Sequence, residues 1–159
     1  MTRLVAFLSM ALSVAPSLHS QKDAVMTNHS KGTFDVKVTP QPADEAAGGP
    51  FGRLFLDKQF HGDLDAHSNG QMLASGTGAE NSGAYVALER VSGALHGRRG
   101  SFVLQHNGTM SKGVASMTVT VVPDSGTEEL TGLAGKMTII IADGKHSYEF
   151  EYTVGGATP

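Results

Sequence analysis

The stretch "YVALERVSGALHGRRGSFVLQHNGTM", Tyr85 to Met110, decides how this chain is read. Apolar and polar residues alternate on both sides of "HGRRG". Alternation with period two marks half-buried strands, and a glycine-flanked polar centre marks the turn between them. The stretch therefore reads as a long β-hairpin with Arg98-Arg99 at its tip. Pairing His96 with Ser101 across that tip sets Leu95 against Phe102, Gly93 against Leu104 and Val91 against His106, with Glu89 near Gly108. These residues share one face. The other face carries Leu88, Arg90, Ser92, Ala94 and His96. The first face is the more apolar and is assigned to the interior, which puts Tyr85, Glu89 and His106 inside. Asn107-Gly108 has the composition of a turn, but a turn there would cut the strand that the tip requires.

The same alternation recurs along the chain. In "KGTFDVKVT", Phe34, Val36 and Val38 fall on one face. In "SMTVTVV", Met117, Val119 and Val121 do so, and in "HSYEFEYTV", Tyr148, Phe150 and Tyr152. "RLFLDKQFHGDLDAHS" reads as one long strand bent at Gly62, followed by a turn at Ser68-Asn69-Gly70 and a further strand, "QMLASGTG". "PQPADEAAGGPFG" is a loop, "PDSGTEELTGLAG" a connection with one helical turn, and Asp143-Gly144 the turn of the last hairpin. About eight strands joined mainly by short turns predict an all-β chain that closes as an antiparallel barrel or folds as a sandwich.

The 159 residues suit a single domain, placed at 26–159. The chain has no cysteine, which excludes disulfides and thiolate metal sites. A net charge of -3 without charged runs argues against a nucleic-acid partner. Its 20 glycines fit many tight turns. Residues 1–25 differ from the rest. Arg3 precedes the apolar "LVAFLSMALSVAP" and the small-residue exit "SLHSQ", a signal-peptide pattern too short for a membrane span. Met26 opens "MTNHSKGTFDVKV" as a start of its own, which would make 1–25 a mis-assigned extension. The first reading implies a secreted or periplasmic protein and the second a cytoplasmic one.

The segments "GTFDVKVTPQP", "LDKQFHGDL", "YVALERVSGALHGRRGSFVLQHNGTM", "VTVVPDSGTEELTGLAG" and "DGKHSYEFEY" together resemble an uncharacterised bacterial family of unknown function, similar in fold to the allene oxide cyclase barrel. The resemblance runs from about Thr27 to Val154. It implies a closed eight-stranded antiparallel barrel that self-associates. The wider barrel superfamily includes cyclases that steer ring closure of an apolar molecule in the lumen. The resemblance brings no catalytic motif with it, and fold analogy alone does not assign a reaction.

Two functions follow as expectations. One is a cofactor-free cyclase or isomerase acting on an apolar substrate in the lumen. The other is a non-catalytic binding or structural barrel. For the first, Glu89 and His106 are candidate base and acid and Tyr148 a hydroxyl donor, because burial and mutual charge shift the pKa values of such groups. Tyr85, Phe102, Leu104, Phe150 and Tyr152 are the candidate ligand-binding residues. Glu89 could instead be neutralised by Arg90 or Lys58 at a rim. No metal is expected: His96 and His106 fall on opposite faces, and neither an H-x-H nor an H-E-x-x-H motif is present. His61 and His67 could share a strand face, were it not for Gly62 between them. Strands with apolar residues on both faces, such as "YVALERV" and "MTIII", predict a homo-oligomer.

Overall fold

The computed structural model describes residues 26–42, 49 and 51–155. The segment 1–25, with both readings of it, lies outside the described residues. Eight strands follow in chain order: β1 (Asn28–Pro40), β2 (Phe51–Gly62), β3 (Leu64–Gly76), β4 (Gly83–Leu95), β5 (Arg98–Ser111), β6 (Val114–Val121), β7 (Leu133–Ala142) and β8 (Lys145–Val154). Each strand pairs antiparallel with the next, and β1 pairs with β8 to close the barrel. A single short 3-10 turn, Glu128–Leu130, interrupts the β6–β7 connection among the described residues.

The alternation sorts side chains as expected. In β3, for example, Leu64, Ala66, Ser68 and Gly70 are buried and the residues between them exposed. The lumen has two unlike halves. Toward the end where β2 meets β3 and β4 meets β5, it is packed solid by Phe60, Leu64, Leu95, Phe102, Leu104 and Phe150. Leu130 and Leu133, from the β6–β7 connection and the start of β7, complete that plug. The opposite end, where β5 turns into β6 and β7 into β8, is the mouth.

Two sequence expectations are corrected here. The strand boundary after β2 is not at Ser68-Asn69-Gly70 but at Gly62-Asp63, and Gly70 sits inside β3 opposite Glu89. A Cβ on Gly70 would lie 2.8 Å from the Leu88 carbonyl oxygen and 3.1 Å from Glu89 Cα, so the glycine marks a close approach of strands rather than a turn. The β4–β5 tip is not Arg98-Arg99 but His96-Gly97, with φ of 47° and 79°, and both arginines lie in β5. Two consecutive positive φ angles match the twist of a two-residue hairpin, which is why a glycine is needed at the second. The true register pairs Val91 with Phe102, Glu89 with Leu104, Ala87 with His106 and Tyr85 with Gly108. The tip lies two residues earlier than expected, so each residue's partner shifts by four, an even shift that leaves every side chain on its face.

The tip gives a first test. Gly97→Ala should cost about 1–2 kcal/mol in equilibrium unfolding, the penalty of a side chain in left-handed backbone. Arg98→Ala should stay within ~0.5 kcal/mol. Equal effects of the two changes would contradict this tip.

Candidate functional site

The site begins with a lysine in the wrong-looking place. Lys58 lies in β2 between Leu56 and Phe60 in the inward phase, and it is only 6% exposed. Its ammonium sits over the rings of Phe34 and Phe60, 5.0 and 5.7 Å from their centroids. From β4, Glu89 projects into the same layer and is fully buried. Lys58 Nζ donates to Glu89 Oε2 at 2.6 Å. The Ser68 hydroxyl, from β3, donates to Glu89 Oε1. His106, from β5, brings Nε2 to 2.9 Å from Oε2, with the oxygen off the N–H axis, so this nitrogen has no aligned hydrogen-bond partner. Burial alone would raise the Glu89 pKa. The adjacent His106 imidazole, the Lys58 charge and its hydrogen bond, and the Ser68 hydroxyl together outweigh burial and hold the carboxyl down at about 2.

This polar layer floors a cavity of about 140 Å³ in the mouth-side half of the lumen. Phe34, Val36, Leu56, Met72, Ile139 and Ile141 form apolar walls. Lys58 and His106 lie at its base and Tyr85, Met117 and His146 complete the lining, whereas Glu89 stands behind the floor. The Tyr85 hydroxyl donates to Met117 Sδ at 2.9 Å. Burial, and then the Glu89 charge, raises the Tyr85 pKa. A larger hollow of about 640 Å³ lies on the outer wall, edged by outward side chains such as Leu73, Val86, Leu88 and Gln105, and does not include Lys58 or Glu89.

The residues singled out in the sequence divide between the two halves. Glu89 and His106 come together, with Tyr85 above them. Tyr148 stands in the packed half, where its hydroxyl accepts from the Leu64 N–H at 2.9 Å and donates to the His61 carbonyl at 3.3 Å. Burial raises its pKa. Phe102 stacks on Phe150 at 6.0 Å between centroids, and Phe150 on Tyr152 at 5.2 Å. Leu104 is fully buried in the same half. The Tyr152 hydroxyl lies 2.7 Å from His96 Nδ1, so His96 caps the packed end instead of standing clear on the outer face. His61 and His67 lie on neighbouring strands and face outward, against Asp35 at 3.2 Å and Asp57 at 2.7 Å. Among the described residues no group of three or more His, Asp and Glu side chains is arranged to hold a metal.

Lys58 and Ser68 complete the cluster, and His146 joins the lining; none was singled out as a site residue. The signal for two of them was phase. Lys58 shares parity with Leu54, Leu56 and Phe60, and His146 with Tyr148 and Phe150. Removing one hydroxyl tests the packed half of the lumen. Tyr148→Phe should cost about 1–3 kcal/mol in urea unfolding, because it strands the buried Leu64 N–H. No loss would contradict the hydrogen bond.

Fold and site together define a lumenal barrel of the up-and-down type, half filled, with a buried ionic layer across its waist. The chain belongs to the family described as "Protein of unknown function (DUF3224)", which matches residues 30–152. A crystal structure of a DUF3224 protein of unknown function from Shewanella oneidensis MR-1 is similar to it, with 47% identity and a TM-score of 0.78, covering 83% of this chain and 100% of that one. Among curated proteins none matches. No helix among the described residues is long and apolar enough to cross a membrane.

Proposed function

We propose that the barrel binds one small, largely apolar molecule in the mouth-side half of its lumen, with the molecule's polar group against Lys58 and His106. The observation that carries this is the half-filled lumen. Aromatic and aliphatic side chains pack one half, while about 140 Å³ stays open above an ionic cluster whose members are at most 6% exposed. A cavity of ~150 Å³ lined by apolar side chains holds a benzene ring, which sets the scale of the ligand.

The cyclase or isomerase reading rests on His106 alone as the proton-transfer group. Glu89, at about 2, is a carboxylate at neutral pH too weakly basic to take a proton, and acts by orienting His106 and Lys58. The likeness to the allene oxide cyclase barrel belongs to this reading. A second copy of the chain is the proposed partner. The outward residues of β4 to β6, including Val86, Leu88, Arg90, Gln105, Thr118 and Thr120, contain no carboxylate, and interfaces are poor in Asp and Glu and rich in Arg. A monodisperse monomer by light scattering at micromolar concentration would remove it.

The test of the main reading is native mass spectrometry of protein isolated from its own host. A small molecule should be retained by the wild type and by His96→Phe, and lost by His106→Phe. Equal retention by both variants would overturn the lumenal site. A retained molecule released chemically unchanged after prolonged incubation supports binding over catalysis.

A further inference from the structure

We propose that the lumen ligand is a small carboxylic acid, bound as its carboxylate against Lys58 with an aromatic or branched apolar body toward the mouth. This rests on the binding reading above and names its ligand class. The polar groups that line the cavity are the Lys58 ammonium, the His106 and His146 imidazoles and the Tyr85 hydroxyl. Among the described residues no acidic side chain lines it. The one carboxylate of the cluster, Glu89, is fully buried behind the floor, with three side chains already directed at its two oxygens.

Lys58 has donors to spare. An ammonium carries three N–H groups, and Lys58 uses one on Glu89. Around the rest are the faces of Phe34 and Phe60, which attract the charge but accept no strong hydrogen bond. His106, 3% exposed, lies beside Lys58 with Nε2 2.9 Å from Glu89 Oε2, so the spare donors are those of Lys58. Lys58 is the one pure donor and the one fixed charge among these groups, since the imidazoles and the Tyr85 hydroxyl can also accept. An ammonium at the base of apolar walls fits a charged acceptor on an apolar body. Charge-assisted hydrogen bonds are roughly twice as strong as neutral ones, so a carboxylate gains more from Lys58 than an alcohol or ketone does.

The size of the cavity selects the probes: benzoate, benzyl alcohol and benzylamine share a ring and differ in the charge of the polar group. Calorimetric titration of the full chain should find benzoate binding about tenfold or more tighter than the other two. In the double variant Lys58→Met/Glu89→Leu, which removes both charges of the buried pair together, that preference should vanish while benzyl alcohol still binds. His106→Phe, a second background, should lose benzoate affinity by filling the floor. Benzyl alcohol or benzylamine binding as well as benzoate overturns the carboxylate assignment and leaves the cavity reading intact. Failure of all three probes to bind overturns both. Unchanged benzoate preference in the double variant overturns the role given to Lys58.

Discussion

Glu89→Leu is expected to cost the fold about 3–5 kcal/mol, the range for breaking a buried ion pair by removing one partner. The leucine fits the space, so the loss is electrostatic. It leaves the Lys58 ammonium in a layer where it is 6% exposed, with aromatic faces in place of a counter-charge. It also removes the acceptor of the Ser68 hydroxyl and the neighbour of His106. Total stabilities of ~5–15 kcal/mol make this a large share. Lys58→Met/Glu89→Leu should recover most of the loss, because a buried pair replaced as a unit by apolar groups is often neutral. Urea unfolding of the wild type, both single variants and the double variant measures the coupling. A Glu89→Leu protein within ~1 kcal/mol of wild type would show that the cluster does not hold the barrel together.

Acid should weaken the barrel through the same residue. The carboxyl titrates at about 2 in the folded protein against an ordinary value of 4.5. A lowered folded value means that the unfolded chain takes up the proton first. The contribution is therefore complete above about pH 5, falls as the pH drops through 4.5, and is gone below about 2. The gap from 4.5 to about 2 is worth about 3 kcal/mol, at ~1.4 kcal/mol per pH unit. Unfolding free energies of wild type and Glu89→Gln, measured from pH 7 to 2, isolate it from the exposed carboxylates. The wild-type curve should fall more steeply by that amount. Parallel curves would mean that Glu89 is not held low.

The side each residue faces was legible in the sequence, and its partner across the sheet was not. Period-two alternation assigns faces strand by strand without knowing where a turn begins. Placing the hairpin tip at Arg98-Arg99 instead of His96-Gly97 moves the pairing by four residues, and an even slip leaves each side chain on its own face. Glu89 and His106 were therefore correctly set inside while their cross-strand neighbours were wrong. His96 hid the real tip, since any residue other than glycine is uncommon at positive φ. Gly70 misled in the other direction: its glycine serves the approach of β4, a long-range cause that local composition does not carry. Lys58 was legible by phase, but a lysine amid apolar inward residues reads naturally as a rim residue until Glu89 is known to lie opposite. The division of the lumen into a packed and an open half depends on side-chain volumes from all eight strands at once, which no single segment reveals.

The barrel's circumference is not uniform. The other neighbouring strands are joined over at least seven residue pairs, whereas β6 and β7 pair only at Val119–Met137 and Thr120–Lys136. Beyond those two rungs they part, leaving a hollow of about 290 Å³ edged by Ala115, Met117, Thr138 and Ile139. Met117 and Ile139 also line the lumen cavity. The ring is thus closed in topology and split in mechanics. The smallest local opening breaks two rungs rather than a whole ladder, so the amides along this slit should exchange with solvent well before those of the β4–β5 ladder. Residence time of anything held above Lys58 would then be set by the breathing of this slit, and a cross-link across it would slow exchange in both directions without touching the residues that do the binding.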